Sequence, residues 1–391
     1  MTSMLPETLS LYVHIPFCAR KCNYCDFLSF NAKKEQMDEY FDALEKEISK
    51  SAAKYKDRII TTIFFGGGTP SFADEKRVCG LLEMIKEEFN VSDDAEISIE
   101  VNPASALRDK LFSYREAGFN RLSIGCQSLN DDELKVLGRL HNSGLFIETY
   151  ENARAAGFAN INVDVMSALP GQSLESYVNT LNKVLELKPE HISAYSLIIE
   201  EGTPFYDMEL DLPDEDTDRA MYHETKRILQ EHGFHRYEIS NYALGADDDD
   251  AFECHHNKVY WMRGDYLGLG IGAASMVDNV RWSNTRNIDT YVKELKEAES
   301  SFAKIRESIE ELSIEAQMEE FMFLGLRLVQ GVSTVGFKEI FGKEISEVYG
   351  EVIDKYQRMG LLEYAGDGGE NLRLSDKGLD VSNTVMAEFL L

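Results

Sequence analysis

Apolar residues in the first half of the chain fall into two alternating rhythms. Short runs rich in Val, Ile and Phe occupy Ser10–Ile15, Thr61–Phe65, Glu96–Val101, Arg121–Ile124, Ile161–Met166 and Ile192–Ile198. Each is too brief for a helix and predicts a strand. Between them apolar positions recur at helical spacing, first at Met37, Tyr40, Phe41, Leu44 and Ile48. Further helices are predicted at Glu75–Phe89, Ser105–Ala117, Leu145–Ala156, Leu174–Leu187 and Asp216–His232. Gly118, Gly157 and Gly233 follow three of these, where a left-handed C-terminal cap favours glycine. A repeated β-α unit implies an α/β protein with a parallel sheet and helices outside it. The chain does not supply the two further units of a closed eightfold barrel, so a six-stranded partial (β/α)6 TIM-like barrel fits better.

After Ser240 the rhythm changes. An acidic stretch, Asp247-Asp-Asp-Asp250, reads as a solvated loop. Cys254-His-His-Asn-Lys-Val-Tyr-Trp261 and the glycine-rich Gly268-Leu-Gly-Ile-Gly272 follow; the latter opens no βαβ unit, so a tight turn is expected. From Ser313 to Leu391 two or three helices precede Gly360-Leu-Leu-Glu-Tyr364, a Gly-Asp-Gly-Gly turn and Leu372-Arg-Leu374, the pattern of a hairpin. The division is therefore a barrel over 1–240, a connecting segment over 241–312 and a mostly helical, winged-helix-like domain over 313–391. The segment Phe337–Tyr356 carries several glutamates where a DNA-reading helix needs cations, so packing or partner docking is expected there.

The 391 residues are 43% hydrophobic and 28% charged, the profile of a globular chain without a disorder signature. Apolar runs are short and interrupted, so no integral membrane segment is expected; the start of the chain lacks the pattern of a secretory signal, and a cytoplasmic location is expected. The net charge of −29 repels phosphate backbones, which argues against nucleic-acid binding. It says little about a flat apolar ligand, whose affinity would come from a local pocket.

Three of the six cysteines change the picture. Cys18, Cys22 and Cys25 stand in Tyr12-Val-His-Ile-Pro-Phe-Cys-Ala-Arg-Lys-Cys-Asn-Tyr-Cys-Asp-Phe27, a Cys-x3-Cys-x2-Cys loop. A loop of this length can wrap three thiolates around one face of a four-iron cluster and leave the fourth iron open to chemistry. No second Cys-x2-Cys pair completes a zinc ribbon; a Cys3His zinc knuckle finished by His14 or a distant residue is the alternative. Cys79, Cys126 and Cys254 read as small buried hydrophobes, with Cys126 adjoining Gln127.

This loop resembles the radical S-adenosylmethionine (SAM) superfamily, and its opening resembles the coproporphyrinogen-oxidase-like branch. The resemblance implies that Cys18, Cys22 and Cys25 hold a [4Fe-4S] cluster whose fourth iron is chelated by SAM. The oxygen-independent coproporphyrinogen III dehydrogenases carry a further cysteine two positions after the third and a longer segment before the cluster. Here Phe27 takes that position, and seventeen residues precede Cys18. That combination is similar to the heme chaperones of the HemW group.

In a β/α barrel functional groups gather at the C-terminal ends of the strands. Gly66-Gly-Gly-Thr-Pro70 follows the second strand, Glu100 and Asn102 close the third, Gln127 and Ser128 follow the fourth, and Asp164 lies inside the fifth. Tyr12 lies in the first, just before the cysteines. A carboxylate inside a parallel strand needs a partner, which marks Asp164. Singly these residues read as well as turn glycines, caps or surface pairs; together, in order at strand ends, they point to a site. The resemblance assigns Gly67, Gly68 and Thr69 to the SAM amino group, and Tyr12, Glu100, Gln127, Arg139 and Asp164 to other parts of SAM.

His256-Asn-Lys-Val-Tyr-Trp261 matches the HNxxYW motif of the HemW group. Imidazole is a common ligand of heme iron and aromatic rings stack on porphyrins, so His256 is the heme candidate; a capping histidine beside a buried Tyr260 and Trp261 is the plain alternative. Two functions follow from the resemblance. One is a heme chaperone that binds cluster, SAM and heme and passes heme to an acceptor hemoprotein. The other is a coproporphyrinogen III dehydrogenase that removes carboxyl groups from propionate side chains by radical chemistry, with an electron donor to cleave SAM. Phe27 and the HNxxYW motif favour the first.

Overall fold

A computed structural model describes residues 7–247, 249–297, 302–366 and 368–391; Asp248 of the acidic loop and Asp367 of the glycine turn lie outside the described residues. The chain opens with β1 (Thr8–Ile15), α1 (Lys34–Tyr55), β2 (Ile59–Gly67), α2 (Glu75–Glu88), β3 (Asn90–Val101), α3 (Arg108–Ala117) and β4 (Arg121–Gln127). It continues through α4 (Asp131–Val136), α5 (Ser143–Ala155), β5 (Ile161–Ser167), α6 (Leu174–Glu186), β6 (His191–Ser196) and α7 (Glu215–Glu231). Strands β1 to β6 pair in sequence order and in parallel, as the repeated unit predicts. Gly118, Gly157 and Gly233 have φ of 106°, 95° and 83°, the left-handed conformation that ends α3, α5 and α7.

Alternation along these strands builds the site. Leu11, Val13, Ile63, Ile99, Ile124 and Val163 face outward into one continuous core beneath the helices. Their neighbours face inward and are polar or aromatic: Tyr12 and His14, Thr62 and Phe64, Ser98 and Glu100, Arg121 and Ser123, Asn162 and Asp164, His191 and Ser193. Register aligns them across the sheet, with Tyr12 beside Phe64, Phe64 beside Ser98, Ser98 beside Arg121, and Asp164 beside Ser193. A parallel sheet buried on both faces is ordinarily apolar on both, so this lining describes a cavity.

The segment expected to be a connector extends the sheet at both edges. It and the residues just before it supply β7 (Phe234–Arg236), β8 (Asn241–Leu244), α8 (His255–Trp261), β9 (Tyr266–Leu269), β10 (Ala274–Val277), β11 (Val280–Asn284), α9 (Ile288–Lys296) and β12 (Arg306–Glu311). The sheet order is β12-β11-β10-β9-β1-β2-β3-β4-β5-β6-β8-β7, with β9 parallel to β1 and β8 antiparallel to β6. The glycine-rich run closes β9 and turns: Gly270 and Gly272 have φ of 97° and 64°.

The C-terminal unit contains α10 (Ile314–Gly325), β13 (Val332–Ser333), α11 (Thr334–Phe341), α12 (Ile345–Arg358), β14 (Leu362–Ala365), β15 (Asn371–Leu374), α13 (Asp376–Leu379) and α14 (Ser382–Met386). Its three strands form the order β13-β15-β14 around a separate core. The stretch Phe337–Tyr356 is two helices, broken at Gly342 with φ of 68°. Glu320 of α10 binds Arg263 at 3.0 Å and Arg281 at 2.6 Å, fastening this unit to the sheet extension.

Candidate cofactor cleft and barrel chamber

The cysteine loop leaves β1 and is strapped on two sides. On one side, Gly68 N–H donates to Ile15 O (2.9 Å) and Thr69 N–H to Phe17 O (2.9 Å). A Cβ at Gly68 would stand 2.8 Å from Pro16 C and 2.9 Å from Phe17 N, so only glycine lets β2 meet the loop this closely. On the other side, Asn23 N–H donates to Leu137 O (3.0 Å) and the Arg20 guanidinium to Gly138 O (2.5 Å). All three cysteines are free thiols, and burial pushes those of Cys18 and Cys25 upward. Cys18 Sγ lies 3.3 Å from Thr69 Oγ1, and Arg139 Nη1 lies 3.8 Å from Cys22 Sγ. Such donors stabilise thiolates once a metal has displaced their protons.

Among the described residues no three His, Cys, Asp or Glu side chains converge on one metal ion. His14 cannot finish a zinc knuckle as it stands, since its Nε2 meets Leu28 O (2.9 Å) and its Nδ1 meets Tyr12 OH (3.1 Å). A cluster asks for less convergence, because each thiolate takes its own iron.

Beside the cysteines lies a cleft of about 130 Å³. Gly67, Gly68, Thr69, Glu100, Gln127, Arg139 and Asp164 all line it, so the expected SAM residues meet at one place, with Tyr12 as the exception. Glu100 accepts from Gly67 N–H (3.1 Å), yet burial and the nearby Asp164 push its carboxyl up to about 7. Burial likewise raises Asp164 to about 6, although Asn162 donates to it at 2.7 Å. Arg139 anchors on Gly125 O (2.6 Å) and keeps a buried Nε without a partner. Gln127 adopts φ of 69°, a strained conformation for a side-chain-bearing residue and one that recurs at ligand sites. Two acids held above their ordinary range and an orphaned guanidinium N–H suit a zwitterionic ligand that brings both an amine and a carboxylate.

Tyr12 faces a second, larger space of about 520 Å³ that shares Tyr24, Phe27, Glu100, Ser123, Gln127 and Asp164 with the cleft. This chamber runs down the barrel interior to Arg121, Asn162 and His191 at the strand starts, where α8 closes it. Glu96 fixes α8 by accepting from His255 N–H (3.1 Å) and His256 N–H (3.0 Å), a carboxylate at a helix N-terminus. His256 is buried. Its Nδ1 meets Thr62 Oγ1 (2.7 Å), its Nε2 meets Tyr260 OH (2.9 Å), and its ring stacks on Phe64 at 5.1 Å. Both ring nitrogens are occupied, and burial lowers the imidazole to about 3. The expected heme ligand is therefore a neutral wall of the chamber, and iron coordination would require breaking one of those bonds.

Residues 12–184 match the radical SAM superfamily, and residues 312–381 match the HemN C-terminal domain. The heme chaperone HemW of Bacillus subtilis (strain 168) is 36% identical over 97% of this chain and 99% of its own length. The heme chaperone HemW of Lactococcus lactis is 34% identical over 99% of each chain. The chain belongs to the HemW family of radical SAM proteins. A zebrafish protein, radical S-adenosyl methionine domain-containing protein 1, mitochondrial, is 33% identical over 95% of this chain and 83% of its own. In fold, the chain superposes on coproporphyrinogen III oxidase (HemN) from Escherichia coli with a TM-score of 0.82 at 24% identity, covering 98% of this chain and 90% of that one.

Tyr24, Arg121, Ser123, Asn162, His191 and Ser193 were not singled out by sequence, although all face the cavities. For those on strands the sequence signal is the period-two recurrence of polar residues, which Tyr12, Glu100 and Asp164 share; Tyr24 lies in the cysteine loop and carries no such signal.

Proposed function

We propose that this chain is a heme chaperone: it binds a [4Fe-4S] cluster through Cys18, Cys22 and Cys25, SAM in the adjoining cleft, and heme for transfer to an acceptor hemoprotein. The observation that carries the reading is full-length likeness to HemW heme chaperones together with Phe27 standing exposed at the rim, where it lines both cavities. The bound cluster would supply an electron and an open iron position to SAM. Within the cleft, Gly67, Gly68 and Thr69 would hold the amino group of SAM and Glu100, Gln127, Arg139 and Asp164 its other polar groups, while Thr69 and Arg139 also donate toward the thiolates of Cys18 and Cys22. Tyr12 stands beside this set, on the chamber side. For heme, the aromatic side chains of Phe64, Tyr260 and Tyr12 offer flat apolar contact and His256 a neutral wall.

The test is transfer. Heme-loaded protein mixed with an apo-hemoprotein should lose its Soret signal as the acceptor gains its own, while coproporphyrinogen III supplied with SAM and reductant should not be decarboxylated. Turnover of coproporphyrinogen without heme transfer would reject the chaperone reading.

A further inference from the structure

Arg121 opens β4 at the bottom of the barrel chamber and is 3% exposed. A guanidinium removed from water is ordinarily paired with an acid, because an unpaired buried charge is costly. Among the described residues Arg121 makes no ion pair: its hydrogen bonds run from Nη1 alone, to Asn160 Oδ1 (2.8 Å) and Phe252 O (3.3 Å). The nearby acids Glu96 and Asp164 favour its charged form from a distance but do not pair with it directly. Glu96 is committed to the N-terminus of α8, and Asp164 accepts from Asn162 at 2.7 Å. Asn257, from the HNxxYW motif, also lines the chamber, and its side-chain amide makes no hydrogen bond to another described residue.

We propose that the barrel chamber is a binding site for an organic carboxylate, with Arg121 holding the carboxylate, Asn257 adding a hydrogen bond, and Tyr12, Phe64 and Tyr260 flanking a flat apolar body. Its volume of about 520 Å³ lies within the range of small-molecule sites. A single negative charge fits better than a phosphate. Arg121 is the one cation among the described lining residues, since burial keeps His191 and His256 neutral, while Glu100 and Asp164 repel a dianion. The planar fork of arginine matches a carboxylate with two parallel hydrogen bonds. A heme propionate and a free aromatic acid share this chemistry, so Arg121 would take either, whether or not heme is the cargo.

The experiment uses the full chain and four probes: 2-naphthoate and 2-naphthamide by calorimetry, heme and heme dimethyl ester by Soret titration. In the wild type at least one acid should bind roughly tenfold or more tightly than its neutral counterpart. Arg121→Met should abolish that preference, and Arg121→Lys should retain part of it, with thermal melts reporting whether each variant folds. Preference for both acids places a heme propionate at Arg121; preference for 2-naphthoate alone assigns the site to a smaller acid. Equal binding of acid and neutral probe in the wild type overturns the site, as does a preference that survives Arg121→Met. Saturable heme binding with no Arg121 dependence in any probe would leave the chaperone reading standing without this site.

Discussion

Glu100 and Asp164 carry the pH behaviour of the cleft. Their values of about 7 and about 6 stand above the ordinary carboxyl range, so the folded chain keeps protons that the unfolded chain releases. Their contribution to stability is complete below about pH 4 and is lost as pH rises toward 7. Replacing them by Gln and Asn should raise the melting temperature of the cofactor-free protein at about pH 8 and flatten its slope across that window. A melting profile with unchanged slope would contradict the assignment. Cys22→Ala should abolish the iron–sulfur absorbance of reconstituted protein; a full [4Fe-4S] signal would remove that thiolate from the ligand set. At this scale the cysteines, glycines and Asp164 were legible because their spacing or placement is unusual for their type. Arg121 and His191 were not, since one polar residue at a strand start resembles an ordinary edge position until register lines it up with Ser98 and Asn162.

Among the elements, the six parallel strands were readable from short apolar runs, with ends displaced where function sits. Strands β2 and β4 continue through Gly67 and Gln127, so those residues belong to strands and not to the loops after them. The sheet extension was unreadable because its partners are distant in sequence. Glu47 of α1 accepts from Gly270 N–H (2.7 Å), Asn284 Nδ2 (2.7 Å) and Tyr291 OH (2.5 Å), across 223, 237 and 244 residues. This buried side chain ties the first helix to the turn after β9, to β11 and to α9. Glu47→Leu should leave those donors unsatisfied and lower unfolding free energy by on the order of 3 kcal/mol, measured by denaturant titration. A loss within experimental error would show that the tie contributes nothing. Gly68→Ala should force β2 away from the cysteine loop and lower iron content per chain at fixed reconstitution conditions, while wild-type iron content would show that the close approach is dispensable.

On the scale of the whole molecule, a small cleft opens at the C-terminal ends of the strands, a larger chamber lies below it, and α8 closes the far end. Both cavities share Glu100, Gln127 and Asp164, so a ligand in one contacts walls of the other. No helix among the described residues is long and apolar enough to cross a membrane. The net charge of −29 says nothing about this interior, which alternation along the strands makes polar and aromatic while the outward face stays apolar. The proposed function requires that the chain carry heme. An anaerobic heme titration of the cluster-reconstituted protein, followed at the Soret band, tests it most directly. Saturation near one heme per chain is the predicted result, and the absence of saturable binding would contradict it.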